Sequence, residues 1–168
     1  MRNQAASDSE AAVAELFAAR YPEMVRLAGL LGADDAEDVA QEAFARLLDR
    51  HSALRDGAAA IGYVRATVCN LTRNRARHLG VARRATPRLA PVDGPSLEQA
   101  AITREDHHEV LAAVAALPRR QREAVVLRYW LELSEAEMAA AMGVTAGTVK
   151  SLVSRGVAAV RKELEALA

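Results

Sequence analysis

Three groups of side chains have types and spacings suited to chemistry with another molecule. Near the C-terminus, Thr148, Ser151 and Arg155 stand at i, i+3 and i+7, with Lys150 beside them. That spacing is one side of a helix. Hydroxyl, guanidinium and ammonium groups there can meet base edges and phosphates. In the middle of the chain, Asn70, Arg73, Asn74 and Arg77 repeat the helical spacing, and Tyr63 precedes Asn70 by one heptad. Arginine grips phosphate, an asparagine amide matches the edge of an unpaired base, and an aromatic ring stacks on one. Earlier still, Asp35, Asp38, Gln41, Glu42 and Asp49 occupy the polar sides of an otherwise apolar segment. Such a face could dock on a basic protein surface, but spacing alone is satisfied by solvated helix faces here and on the arginine-rich segment.

Catalytic and metal chemistry find no matching pattern. There is no glycine-rich phosphate loop and no GxSxG. The four histidines, His51, His78, His107 and His108, lack HExxH-like spacing, and the adjacent pair points to two sides of a helix. A single cysteine, Cys69, excludes an internal disulfide and a multi-cysteine zinc site. It lies beside an apolar stripe and reads as packing material. No cofactor and no enzymatic activity are expected.

The charge map separates the three groups. The chain of 168 residues has a formal net charge of zero. Residues 1–54 carry a net −5, residues 55–88 a net +7, residues 89–118 a net −4 and residues 119–168 a net +2. Two basic blocks on a neutral chain point to a polyanion for each, and the acidic block to something else. Alanine occurs 38 times and aromatic residues make up 4%, so an aliphatic, all-α chain is expected. No apolar run reaches the ~18–20 residues that span a bilayer, and Met1 to Glu10 lacks a signal-peptide core. Membrane insertion is not expected, and a cytoplasmic location is.

The elements that must position these groups follow from periodicity and caps. A first helix over about 9–31 contains Pro22, which predicts a kink or break near Tyr21. Gly32 ends it. A second helix starts at Asp34 or Asp35, with Asp34 and Glu37 at capping-box spacing. Its buried face is Ala36, Val39, Ala40, Ala43, Phe44, Leu47 and Leu48. Residues 51–58 form a loop around Asp56-Gly57. A third helix covers about Ala59 to His78, with Ile61, Val64, Val68 and Leu71 inward. The stretch 86–104, rich in Pro and Gly, reads as a flexible linker. Helices then follow near 105–116, 119–132, 134–142 and 146–165, with Pro118 opening the second of them. Ser134 with Glu137 forms a capping box, Gly143 ends a short helix and Thr145 caps the next. Short helix, tight turn and longer helix make a helix-turn-helix, with Val149, Val153, Val157, Val160 and Leu164 facing inward. The expected architecture is two small helical domains, 9–85 and 105–168, joined by the linker 86–104.

These residues also carry a family likeness. AEDVAQEAFARLL (Ala36–Leu48) resembles region 2.2 of bacterial sigma factors. GYVRATVCNLTRNRARH (Gly62–His78) is similar to regions 2.3 and 2.4, and Leu117–Leu164, with GTVKS, resembles region 4. Their order and the short linker match the extracytoplasmic-function (ECF) class, over about residues 10–165. The resemblance implies a non-catalytic subunit that gives RNA polymerase its promoter specificity. It implies docking on the β′ clamp helices through Asp38, Gln41, Glu42 and Phe44, with the β flap as a further partner. It implies contact with the −10 element through Arg55, Asp56, Tyr63, Asn70, Arg73, Asn74 and Arg77, the loop Arg55–Ala60 receiving a flipped base. It implies contact with the −35 element through Thr148, Lys150, Ser151 and Arg155. The linker is expected to follow the RNA-exit path, and an anti-sigma factor is a possible partner. No C-terminal domain beyond region 4 is expected.

The chain departs from the family at two places. Leu152 follows GTVKS where relatives often carry arginine, which removes a DNA contact. Tyr63 stands where relatives often have tryptophan, so a strict dependence on the −10 sequence is expected. Two other readings remain open on the residues: a helix-turn-helix regulator that binds DNA alone, and a polymerase-binding module without DNA recognition. The first explains residues 117–168 but not the acidic and basic helices.

Overall fold

The computed structural model describes residues 2–50, 56–79 and 99–167, with side chains described except at 2–10, 78–79, 99–106 and 167. Among the described residues there are seven helices and no strand: α1 (Arg2–Leu30), α2 (Ala36–Arg50), α3 (Gly57–Leu79), α4 (Gln99–Ala116), α5 (Arg119–Tyr129), α6 (Glu135–Met142) and α7 (Ala146–Leu167). They divide into two compact units, one of Met1–Ala85 with Ala140–Met142, the other of Thr86–Ala139 with Gly143–Ala168.

In the first unit α1, α2 and α3 pack pairwise. The expected break at Pro22 does not occur: α1 runs through it. Proline removes the donor for the Ala18 carbonyl, but both residues are exposed, so water can take that acceptor. Packing also holds the helix across the proline. The Phe17 and Tyr21 rings stack at 4.6 Å, and Phe17 meets Phe44 of α2 edge-on at 5.0 Å. The helix ends as expected at Gly32, φ 92°. Gly32 N–H donates to Gly29 and Ala33 N–H to Ala28, the bond pattern of a Schellman cap.

The start of α2 is one residue later than the Asp34–Glu37 spacing implied. Asp35 holds the N-cap position, its carbonyl accepting the Val39 N–H at 3.1 Å. Val39, Ala40, Ala43, Phe44 and Leu47 are buried as expected, against Met24, Leu27 and Ala28 of α1 and Val64, Val68 and Cys69 of α3. Burying a side chain the size of Leu or Met contributes about 1.5–3 kcal/mol. Leu48, expected in this core, is instead 45% exposed at the edge of the stripe.

The second unit is built on α5 and α7, with α4 across both. Helix α4 reaches back over residues 99–104, which the sequence reading gave to the linker; residues 86–98 lie outside the described residues. Pro118 precedes α5 as its N-cap, with extended φ −51° and ψ 138°. The helix stops at Tyr129, earlier than the expected 132. Glu132 then takes φ 52°, and Arg128 Nη1 donates to the Leu133 carbonyl at 3.1 Å across the turn. Arg122 serves a similar end for α4, donating to the carbonyls of Ala115 and Leu117. Burial, with the charge of Arg119 nearby, lowers the Arg122 pKa.

The helix-turn-helix forms as read. Ser134 and Glu137 make both bonds of the capping box. Gly143 closes α6 in the left-handed region, φ 65°, and Thr145 caps α7, its Oγ1 accepting the Thr148 N–H at 3.3 Å. One device escaped the sequence reading. Gly156 is buried in α7 where α5 crosses it; a Cβ there would lie 2.6 Å from Val125 Cγ2 and 3.2 Å from the Gln121 carbonyl oxygen. Glycine sets the approach of these two helices.

Candidate functional site

The acidic face of α2 is not uniform. Asp38, Gln41 and Asp49 are exposed. Gln41 Nε2 donates to the Tyr21 hydroxyl at 3.3 Å. Glu42 is committed within the fold: one carboxylate oxygen accepts from Arg46 at 2.6 Å and the other from Arg75 of α3 at 2.9 Å. Burial raises the Glu42 pKa, but the bonds and charges of Arg75 and Arg46 outweigh it and hold the carboxyl below its ordinary value. Phe44 is corrected most plainly. It is 4% exposed, under the Phe17 and Tyr21 rings. It supports the face from beneath and has no surface to offer a partner.

Helix α3 divides its arginines. Arg65 pairs with Glu23 of α1 at 3.3 Å, and Arg75 pairs with Asp35 and Glu42 of α2. These two are turned inward and hold the helix to its neighbours. Asn70, Asn74 and Arg77 are exposed on the other side. Arg73 is half-buried and donates to the Asn70 side chain, so the structure brings these two together. Tyr63 is half-buried, with the Arg50 guanidinium 5.8 Å from its ring centre. The chemistry left on this face is two amides and guanidinium groups, which suits a strand with accessible base edges.

The loop before α3 is shorter than read from the sequence, because residues 57–60 are helical. Asp56 is the cap of that helix: its carboxylate accepts the Ala59 N–H at 2.5 Å and its carbonyl the Ala60 N–H at 3.1 Å. The preference of such caps for aspartate could have found it. Arg55 lies outside the described residues.

On α7 the four residues singled out are all exposed. They differ in what they already hold. The Thr148 hydroxyl lies 3.0 Å from that of Thr145, and the Ser151 hydroxyl donates to the Gly147 carbonyl at 3.2 Å. Lys150 approaches Glu135 of α6 at 3.5 Å. Arg155 has no ion pair among the described residues. A groove of about 480 Å³ runs along one flank of α7, with Val149, Val153 and Val157 in it and Arg128, Lys150 and Arg161 among its lining. Lys150 therefore lies toward the flank, whereas Thr148, Ser151 and Arg155 lie outside the groove. That separates a lateral position, suited to phosphate, from a frontal one, suited to bases. Leu152 is half-buried, so its apolar side chain is partly used in packing.

Among the described residues no group of three or more His, Cys, Asp or Glu side chains could hold a metal ion, and no helix is long and apolar enough to cross a membrane. Cys69 is buried, as read.

Comparison with known proteins gives this geometry its context. The family described as Sigma-70, region 4, matches residues 107–160, which hold α5, the helix-turn-helix and most of α7. The RNA polymerase sigma-E factor of Streptomyces coelicolor is 35% identical over 134 residues, covering 79% of this chain and 73% of the relative. That of Streptomyces antibioticus is 39% identical over 134 residues, covering 78% and 71%. The ECF RNA polymerase sigma factor SigW of Bacillus subtilis is 30% identical over 144 residues, covering 79% and 77%. In fold the chain is similar to CnrH, solved in complex with the cytosolic domain of CnrY, with a TM-score of 0.68 at 21% identity over 98% of this chain and 94% of that one. It is also similar to the sigma factor RpoE of Bartonella quintana, solved with the anti-sigma factor NepR, with a TM-score of 0.67 at 23% identity over 89% and 94%. With the helix-turn-helix in place and these identities spanning most of each relative, the chain belongs to the RNA polymerase sigma factors of the ECF class.

Proposed function

We propose that the exposed part of the α2 face docks on core RNA polymerase, that Asn70, Arg73, Asn74 and Arg77 of α3 meet the −10 element, and that α7 meets the −35 element. Asp38 and Gln41 supply the polar contacts of docking, Glu42 a partly neutralised one, and Phe44 the support below. Thr148, Ser151 and Arg155 face bases, and Lys150 holds phosphate from the side. Residues 9–85 form the docking and −10 domain and 105–168 the −35 domain. The chain brings specificity and no catalysis of its own, and works where the polymerase is, in the cytoplasm. The β flap contacts the second domain, and an anti-sigma factor restrains the free protein, as the similar RpoE of Bartonella quintana was solved with one.

One observation carries this reading: the fold exposes three chemically distinct faces, acidic on α2, amide and guanidinium on α3, hydroxyl and guanidinium on α7. A regulator that bound duplex DNA alone would need only the last. The experiment is co-elution of the purified chain with bacterial core RNA polymerase on a sizing column, for the wild type and for Asp38→Arg. A stoichiometric wild-type complex that Asp38→Arg abolishes, with its helical circular dichroism intact, is the expected result. Equal co-elution of both proteins would return the acidic face to plain solvation.

A further inference from the structure

Arg75 is on the arginine-rich helix, yet it is not on the face of Asn70, Arg73, Asn74 and Arg77. At 3.6 residues per turn it is rotated about 140° from Asn70. Its guanidinium instead spans two carboxylates of α2. Nη1 donates to Asp35, the N-cap of that helix, and Nη2 donates to Glu42, about two turns further on, at 2.9 Å. Its side chain is 28% exposed, so water screens these bonds only in part. Glu42 gives its second oxygen to Arg46, and its lowered pKa agrees with a carboxylate whose charge is already matched.

Two consequences follow from that geometry. Helix α3 cannot roll or slide on α2 without parting two charge-assisted bonds, and a planar fork fixes direction as well as distance. The same cation also offsets negative charge on the face that α2 offers to a basic partner. Long-range attraction of such a partner follows the net field of the face.

We propose that Arg75 is a positioning residue: by holding Asp35 and Glu42 it sets the −10 face of α3 in register with the docking helix α2, and it lowers the docking charge of α2 while doing so. This rests on the assignment of α2 to polymerase docking. The two effects have opposite signs, which separates them from simple loss of structure. Arg65, paired with Glu23 of α1, is the comparator: it also ties α3 down but touches no residue of α2 in this network.

The test uses the full chain as wild type, Arg75→Gln, Arg75→Lys and Arg65→Gln, each checked for helical circular dichroism. Association with core RNA polymerase is measured at low and moderate salt, and promoter opening by permanganate reactivity at saturating core. Arg75→Gln should associate about two- to fivefold faster at low salt, with a steeper salt dependence, and open the promoter about tenfold less. Arg75→Lys keeps the positive charge and should associate at the wild-type rate, yet open the promoter less than wild type, because an ammonium is a point charge that cannot fork across both carboxylates. Arg65→Gln should lower the melting temperature with no gain in association rate. Slower association and lost opening in parallel for Arg75→Gln would overturn the proposal, as would unchanged opening. Should Arg75→Gln fail to fold, Arg75→Lys decides: reduced opening at a wild-type association rate supports the positioning role, and unchanged opening overturns it. A wild-type chain that does not bind core polymerase refutes the docking assignment itself, and the proposal with it.

Discussion

Replacing Gly156 by alanine sets two effects of known size against each other. Alanine is favoured over glycine inside a helix by about 1 kcal/mol. Its Cβ, however, would lie 2.6 Å from Val125 Cγ2 and 3.2 Å from the Gln121 carbonyl oxygen. Ordinary carbon contacts need about 3.5–4 Å, so α5 and α7 must part by about 1 Å or Val125 must turn. Val125 is buried and β-branched, and such a side chain in a helix has one strongly preferred rotamer. The carbonyl is backbone and cannot turn aside. Overpacking of this kind costs about 1–3 kcal/mol, and an opened helix interface forfeits part of the dispersion along its length. The net expectation is a loss of about 1–2 kcal/mol, which for a unit of this size is roughly 5–15 °C in melting temperature. Displacing α7 should also weaken −35 DNA binding, since its exposed face moves with it. The matching control is Gly62→Ala in α3, where a Cβ meets nothing within 4 Å. That change should stabilise by about 0.5–1 kcal/mol. Thermal unfolding followed by circular dichroism reads both. A Gly156→Ala protein as stable as wild type, or more so, would refute the close-approach argument.

Three further outcomes are expected. Ser134→Ala removes the capping-box bond that the Ser134 hydroxyl accepts from the Glu137 N–H, leaving the backbone N–H bond to the Glu137 carboxylate, and should cost about 0.5–2 kcal/mol in a urea titration. Arg155→Ala should weaken binding of −35 DNA by about 1–3 kcal/mol at one base position, whereas Lys150→Ala should weaken all sequences alike and flatten the salt dependence; competition binding with single-base variants distinguishes them. The lowered pKa of Glu42 makes its ion pairs a stabilising contribution that is complete above the unfolded value, near 4.5, and fades as pH falls through the lower folded value. Between about pH 6 and about pH 3, Arg75→Gln should therefore lose less stability than wild type in denaturant titrations.

Local features were the ones readable from residue order. A cap or a capping box involves residues three or four apart, so Ser134 with Glu137 and Thr145 with Thr148 carry their own geometry. The same holds for Gly32 and Gly143, where a positive φ calls for glycine. Periodicity separated the exposed residues of α7 from Val149, and placed Val64, Val68 and Leu71 inside. It erred where a helix face has an edge, as at Leu48, and where a neighbour overrides a local preference, as at Pro22. The Asp34–Glu37 spacing pointed one residue too early, and of the two adjacent aspartates, both favourable N-cap types, the packed helix uses Asp35.

Pairings across long separations were settled by the packed fold. Arg75 and Glu42 are 33 residues apart, and Arg65 and Glu23 are 42 apart. A charge pattern says that an arginine is on a helix, but not which carboxylate faces it, so the basic block of residues 55–88 looked like one surface. Folding turns two of its arginines inward and leaves Asn70, Asn74 and Arg77 out. Phe44 could be placed on a stripe from its spacing, but only the Phe17 and Tyr21 rings above it decide that it supports the face instead of forming it. Gly156 makes the same point by its lack of a side chain. Its composition carries no signal, because its meaning lies in Val125 and Gln121 on another helix. Hydrogen bonds within one turn are written into residue order; contacts between helices depend on how closely and at what angle the helices meet, which is a property of the whole packed unit.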